Sequence, residues 1–198
     1  MSQKTNKKKH IIIYTADIHG SEKLYKSLFS ISLQENVNSI IIGGDIFPKS
    51  STNNLINMQK EFIKTKLIPM FKKFKKENPS VNGYLMMGND DFKINMPFLE
   101  AGEKKGCFKL LDMKVQKLNN QFNVCGYSHV PPLPFLMKDW QKYDTKDTKE
   151  LSNNCDKKFH ELITCKDKER KRLKKEYLLL LSKLGYTHNI HYYTIEGI

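Results

Sequence analysis

Short apolar runs take turns with longer amphipathic stretches along the first 90 residues of the chain. The first run spans Ile11 to Tyr14 and the second spans Ile40 to Ile42. Continuous apolar runs of this length are typical of strands that are covered on both faces. The pattern therefore predicts two buried parallel strands, with the first in a central position of its sheet.

A helix is predicted between these two strands. Ser21 is a good N-cap residue, Leu24, Leu28 and Ile31 recur at helical spacing, and residues 36–38 end the segment. A strand, a helix and a strand within about thirty residues make a βαβ unit, whose two strands are parallel.

A second amphipathic stretch precedes a third strand. Pro69 should kink or break this helix, and Pro79 should end it. The third strand is predicted from Tyr84 to Met87. The apolar residues at helical spacing are Ile63, Leu67, Met70, Phe71 and Phe74.

The remainder of the chain predicts one hairpin and one long helix. Alternating apolar residues on both sides of an Asn-Asn pair predict a hairpin within 113–126. Charged residues predict a loop over 141–155, and helical spacing predicts a helix over 156–184 that contributes no metal ligands. We expect residues 1–10 to be a flexible basic N-terminus of a single domain, 1–198.

The chain of 198 residues carries a formal net charge of +13, with 39% hydrophobic residues. Such a charge attracts phosphate-bearing molecules. A nucleic-acid partner is possible but not favoured, because no nucleic-acid-binding motif accompanies the charge and a general lysine-rich bias of the composition explains it better.

The cysteines and the apolar runs bear on the cellular compartment. Cys107, Cys125, Cys155 and Cys165 show no CxxC spacing, which favours free thiols. The first apolar run is too short for a membrane span or a signal-peptide core. We therefore expect a cytoplasmic protein that does not interact with membranes.

Polar residues with metal-ligand chemistry follow all three predicted strands. Asp17 and His19 follow the first strand, Asp45 follows the second behind two glycines, and the segment 88–91, Gly-Asn-Asp-Asp, follows the third. The carboxyl ends of parallel strands meet at one sheet edge, where ligands bind. Carboxylate, imidazole and amide groups together suit a pair of divalent cations, which would also relieve repulsion among the carboxylates.

These three segments resemble the calcineurin-like metallophosphoesterases, whose motifs run DxH, GD and GNx[D/E]. The resemblance implies an α/β fold, a sheet sandwich flanked by helices. It implies two divalent ions (Mn, Fe, Zn or Mg), with Asp17 and His19 on the first, Asp45 bridging both and Asn89 on the second. The implied activity is hydrolysis of a phosphomonoester or phosphodiester of unknown identity.

Asp90 departs from the family pattern. Many members have a histidine at this position that would protonate the leaving group, and this chain has a carboxylic acid. Asp90 is therefore the candidate catalytic residue, either as an acid or as a group that lies behind the ligands or beside the substrate. Nearby cations would lower its pKa, which favours the second role.

The late histidines of the family are a second departure. Neither the histidine after a later strand nor a GHxH segment is found, and His188 and His191 have a different spacing. His129 could imitate one of them, although a structural role is favoured. We expect the domain to be incomplete at its C-terminal side. The alternative hypothesis is a catalytically impaired remnant that binds metal or a phosphate-bearing or nucleic-acid partner.

Overall fold

The computed structural model describes residues 9–50, 54–130, 137 and 139–142. Its main sheet has four parallel strands in the order β1-β2-β3-β4. These strands are β1 (Ile12–Thr15), β2 (Ser39–Ile42), β3 (Asn82–Leu85) and β4 (Lys109–Leu110). The predicted parallel α/β sheet is therefore confirmed, and its carboxyl edge gathers the polar segments noted in the sequence.

Helices connect the strands of this sheet. Helix α1 (Glu22–Gln34) joins β1 to β2, and the Ser21 side chain accepts a hydrogen bond from the backbone N–H of Leu24, as predicted for the N-cap. The other helices are α2 (Leu55–Phe62), α3 (Ile68–Glu77) and α4 (Met96–Lys104). A short 3-10 turn, Lys93–Asn95, precedes α4.

Helices α2 and α3 are joined by a π-helical turn, Ile63–Leu67. Pro69 follows this turn near the start of α3. Proline has no N–H for the bond to the residue four positions earlier, so an ordinary α-helix would be interrupted there. The predicted irregularity at Pro69 is a change of helical register that leaves the helical path unbroken.

The hydrophobic core lies between one face of the sheet and the helices. Ile40, Ile42 and Leu85 are fully buried on that face. Phe71 of α3 packs so close to the sheet that a Cβ on Gly83 would lie 2.8 Å from its ring. The predicted apolar face of the second helical stretch is thus confirmed as core.

Among the residues that the structure describes, β1 is the end strand of the four-stranded sheet, and the side chains of Ile12 and Tyr14 are exposed. Residues alternate between the two faces of a strand, and in the described part of the chain the helices cover only the face that carries Ile13. The central position predicted for β1 is therefore not found within the described residues.

The buried side of α1 is rotated by about one residue from the predicted face. Tyr25, Leu28 and Ser32 are buried, whereas Leu24 and Ile31 are about half exposed. The Tyr25 hydroxyl donates to the carbonyl of Ile46, and this bond ties α1 to the loop after β2.

The hairpin of β5 (Val115–Lys117) and β6 (Asn123–Cys125) confirms the prediction for residues 113–126. The Asn119 side-chain oxygen accepts the backbone N–H groups of Gln121 and Phe122 and so stabilises the turn. The predicted helix over 156–184, most of the predicted loop over 141–155 and most of the N-terminal segment 1–10 lie outside the described residues. None of the described helices has both the length and the apolar character needed to cross a membrane.

Candidate metal centre

The loops after β1 and β2 run side by side at the carboxyl edge of the sheet. The backbone N–H of Asp17 donates to the carbonyl of Gly44 at 3.2 Å, and that of His19 donates to the carbonyl of Asp45 at 2.8 Å. Gly20 continues this pairing with Ile46 at 3.2 Å. The pairing extends beyond the strands and holds the first two motifs in register.

Three candidate ligands adopt the left-handed backbone conformation. The φ angles are 56° at Asp17, 47° at His19 and 50° at Asp45. This region is uncommon for residues other than glycine, although aspartate and histidine enter it more readily than most. Conformations of this kind cluster at functional sites, where the surrounding structure enforces them.

These three side chains converge. One ligand atom from each of Asp17, His19 and Asp45 lies within 4.8 Å of the other two. Asp17 is largely exposed, His19 is partly buried and Asp45 is buried, so the cluster opens to solvent on one side. Two carboxylates and one imidazole at this separation are a donor set that a divalent cation accepts.

The imidazole of His19 gives a further sign of a cation site. Its Nδ1 atom is buried and has no hydrogen-bond partner among the residues that the structure describes. Its Nε2 atom lies 3.8 Å from Oδ1 of Asp17. A buried nitrogen without a partner is unfavourable, and coordination of a cation is one way to satisfy it.

Electrostatic repulsion at Asp45 also fits a cation. Burial is the main cause that raises the pKa of Asp45, to about 6; a hydrogen bond from the Asp90 backbone lowers it, and the neighbouring Asp90 and Asp17 carboxyls add to the increase. A divalent cation between Asp45 and Asp17 would offset both the burial and the like charges.

Glycine allows the third motif to approach Asp45. A Cβ on Gly88 would lie 2.2 Å from Oδ1 of Asp45, which is far inside any allowed contact. The backbone N–H of Asp90 donates to the same oxygen at 2.8 Å. The segment 88–91 therefore packs directly on Asp45, and only a glycine fits at its first position.

Asn89 is held by its neighbour in the chain. Its side-chain Nδ2 donates to Oδ1 of Asp90 at 3.0 Å. An amide that uses its nitrogen in this way presents its oxygen elsewhere, and oxygen is the amide atom that binds cations. The second oxygen of Asp90 contacts the Lys49 ammonium at 2.5 Å. Asp90 thus lies between Asn89 and Lys49.

Asp91 does not join the acidic cluster that the sequence predicts. It is fully buried, and its carboxyl oxygens accept the backbone N–H groups of Ile46 at 3.0 Å, Phe47 at 2.9 Å and Gly88 at 2.9 Å. Burial raises the pKa of Asp91 to about 8, although these three bonds lower it. Through these hydrogen bonds, Asp91 holds the loop after β2 against the loop after β3.

Sequence reasoning missed two residues that shape the site. Gln59 of α2 is fully buried; its amide donates to the carbonyl of Asp90 at 2.8 Å, and its oxygen accepts the Phe92 N–H at 2.9 Å. Lys49 contacts Asp90 from the loop after β2. Glutamines in helices and lysines in loops occur in proteins of every function. Neither residue type therefore indicated a role in the site.

His129 packs between two aromatic rings in the described structure. Its ring lies 5.1 Å from the ring of Tyr127 and 5.5 Å from that of Trp140, measured between centroids. It is not a member of the group formed by Asp17, His19 and Asp45. His188 and His191 lie outside the described residues.

Comparison with known proteins gives a family match and two matching solved structures. A protein of Thermus thermophilus, TT1561, matches with 11% identity and a TM-score of 0.41, over 53% of this chain and 42% of that one. A second solved structure matches with 13% identity and a TM-score of 0.49, over 72% of this chain and 63% of that one. No curated protein matches.

The chain thus spans less than two thirds of the length of either structure. The family model of the calcineurin-like phosphoesterases matches residues 11–195. This match confirms the family resemblance carried by the three motifs. The chain belongs to the calcineurin-like phosphoesterase family.

Proposed function

We propose that this chain hydrolyses a phosphomonoester or phosphodiester at the carboxyl edge of its parallel sheet. The observation that carries the proposal is the convergence of Asp17, His19 and Asp45 within 4.8 Å, on two loops that are paired through their backbones. Membership of the family supplies the reaction class.

The site would hold two divalent cations. Asp17 and His19 would bind the first, Asp45 would bridge, and the Asn89 oxygen would bind the second. Bound cations of this kind supply Lewis-acid chemistry towards phosphoryl oxygens and water. Manganese, iron, zinc and magnesium all accept oxygen and imidazole ligands, so the donor set leaves the choice of metal open.

The chain's own residues orient these ligands. The Asp90 N–H holds one oxygen of Asp45 at 2.8 Å, so its other oxygen is the one directed towards a second partner. The Asp90 side chain turns the Asn89 amide through its Nδ2 atom. We propose that the Asp90 carboxylate positions Asn89 through this contact, a role that suits a carboxylate close to cations better than proton donation does.

The substrate should carry at least one phosphate group. The net charge of +13 favours an anionic substrate, and a phosphorylated molecule fits the reaction class. Cytoplasmic localisation and a single domain over 1–198 stay predictions.

Metal stoichiometry and turnover test the proposal together. Calorimetric titration with Mn²⁺ should give two equivalents, and the loaded protein should hydrolyse p-nitrophenyl phosphate or bis(p-nitrophenyl) phosphate. Asp45→Asn should abolish turnover and at least one cation site, because a neutral amide bridges two cations poorly. The amide oxygen can still accept the Asp90 N–H, so circular dichroism should show an intact fold.

Glu77→Gln is the matched control. Glu77 ends α3, at the opposite end of the sheet from the site, and its carboxylate lies 4.0 Å from Lys73 on the same helix. This change should leave metal binding and turnover as in the parent protein. Turnover retained by Asp45→Asn would exclude a mechanism that depends on two cations. One equivalent or none, without turnover, would support the impaired remnant.

A further inference from the structure

The loop of the third motif, residues 88–91, accepts hydrogen bonds from two side chains that are distant in the sequence. The amide of Gln59 donates to the carbonyl of Asp90 at 2.8 Å, and the indole Nε1–H of Trp140 donates to the carbonyl of Asp91 at 2.7 Å. Both side chains are buried. Buried carbonyls require a donor, so these two bonds hold consecutive peptide groups of the motif.

Asp139, the neighbour of Trp140, binds the same stretch of chain a second time. Its Oδ2 atom accepts the backbone N–H of Lys93 at 2.9 Å, and Asp139 is itself buried. The Lys93 ammonium lies 5.4 Å from the centroid of the Trp140 ring. Two adjacent residues thus hold the chain at two points, Asp91 and Lys93, and two points of attachment restrain rotation of the loop as well as its displacement.

The segment that carries Trp140 is also fixed to the other end of the motif. The backbone N–H of Val130 donates to the carbonyl of Trp140 at 2.8 Å. Two residues before Val130, the Ser128 hydroxyl donates to the carboxylate of Asp112. The backbone N–H of Met87, directly before the motif, donates to that same carboxylate at 3.4 Å. The third motif is therefore held both where β3 ends and where the motif ends.

The motif in turn packs on the candidate centre. The Asp90 N–H donates to Oδ1 of Asp45 at 2.8 Å, and the Asp91 carboxylate accepts N–H groups from the loop after β2. Peptide groups are planar and rigid, so a shift of the Asp91 carbonyl would be passed on to the Asp90 N–H and to Asn89. The bond from Trp140 therefore bears on the geometry of the centre without touching a candidate ligand.

We infer that Asp139 and Trp140 are positioning residues that hold the third motif against Asp45. The inference rests on the proposed function, because Asn89 of this motif is the ligand assigned to the second cation. Groups behind a ligand fix its orientation, and metal affinity falls when they are removed. Loss of either bond should therefore weaken the second cation site more than the first.

Amide hydrogen exchange, followed residue by residue by nuclear magnetic resonance, tests the inference independently of cations and turnover. Trp140→Phe keeps an aromatic ring and removes the N–H donor. The Asp90 amide should then exchange about tenfold faster, the size expected for the loss of one hydrogen bond. The Asn82 amide is the internal reference, since it donates to the carbonyl of Asn38 at the other end of β3. Its exchange should stay as in the parent.

Tyr84→Phe is the matched control. The Tyr84 side chain is a buried aromatic donor too, and its hydroxyl donates to the carbonyl of Lys117 in the hairpin at 2.9 Å. Its removal leaves the third motif with all of its bonds. The Asp90 amide should therefore exchange as in the parent.

A second pair of variants decides the inference if Trp140→Phe does not fold. Asp139→Ala removes the acceptor of the Lys93 N–H and should also speed exchange of the Asp90 amide. Asp139→Asn keeps an acceptor oxygen and should restore the exchange rate of the parent. Equal exchange of the Asp90 amide in these two variants would overturn the inference.

Calorimetric titration with Mn²⁺ gives the second readout. Trp140→Phe should weaken binding of the second equivalent about tenfold and that of the first by less than about twofold, because only the third motif has lost a support. Tyr84→Phe should leave both affinities as in the parent.

The outcomes separate this inference from the proposed function. A parent that binds fewer than two Mn²⁺ would contradict the proposed function, and the Asp90 exchange rates would still decide the inference. Equal Asp90 exchange in Trp140→Phe and Tyr84→Phe would overturn it. Faster exchange at both Asp90 and Asn82 would overturn it as well, since the variant would then have lost structure in general. In a parent with two Mn²⁺, parent-like affinity at both sites of Trp140→Phe would have the same consequence.

Discussion

Replacement of Gly88 by alanine should damage the candidate centre through a single methyl group. The added Cβ would lie 2.2 Å from Oδ1 and 2.3 Å from the backbone nitrogen of Asp45. Contacts of this type need roughly 3.2 Å, so Asp45 or the strand end must move by about 1 Å. The φ angle of Gly88 is not in the left-handed region, so alanine brings no backbone strain of its own.

Two contributions set the size of the effect. Overpacking in a tightly packed region costs about 1–3 kcal/mol. Displacement of Asp45 also weakens the bond from the Asp90 N–H, which is charge-assisted and contributes about 1.5–3 kcal/mol. We therefore expect Gly88→Ala to lower the free energy of unfolding by about 2–4 kcal/mol. Metal ligands tolerate only about 0.2 Å, so Mn²⁺ affinity should fall at least tenfold.

Urea denaturation in EDTA measures the stability, and calorimetric titration measures Mn²⁺ affinity. Gly106→Ala is the control, because no neighbouring atom of the described residues would lie within 4 Å of the added Cβ, while the φ of +72° makes alanine unfavourable by about 1–2 kcal/mol. It should lose stability but keep the affinity of the parent for Mn²⁺. If Gly88→Ala binds Mn²⁺ as tightly as the parent, the site does not require the close contact between Gly88 and Asp45, and the reasoning is refuted.

Two further predictions concern the buried polar groups around the centre. The metal-free protein should lose stability as pH rises from about 4 to 8. The pKa is raised to about 6 for Asp45 and to about 8 for Asp91, so the folded state holds these protons more tightly than the unfolded chain does. The Asp45 part is about 3 kcal/mol and should shrink when Mn²⁺ is present. Denaturation at pH 5 and 8 with EDTA and with Mn²⁺ measures it as the difference between the two, because Asp91 and Asp112, whose pKa is also raised to about 6, contribute in both. A flat profile in EDTA would contradict the raised pKa values. Gln59→Met should lower the free energy of unfolding by about 2–4 kcal/mol, since it leaves the Asp90 carbonyl and the Phe92 N–H without their bonds. A loss below about 0.5 kcal/mol in urea denaturation would show that water replaces the amide.

The order of elements and the polar segments of the site followed from local patterns in the sequence. Apolar runs predicted β1, β2 and β3, and Ser21 predicted the start of α1, because strand and cap preferences act over a few residues. Parallel strands end at one edge, and this rule alone predicted that Asp17, His19 and Asp45 lie together. Family resemblance then supplied the reaction class, which residue types do not specify by themselves.

Long-range contacts decided the rest. The end position of β1 depends on which strands pair and which faces the helices cover, and an apolar run carries no information on either. Asp91 and Asp90 are identical residues side by side, yet Asp91 accepts three backbone N–H groups in the core while Asp90 faces Lys49. Their different roles arise from the packing of three loops against one another. The type of residue does not distinguish the two, because the partners of each carboxylate come from distant parts of the sequence.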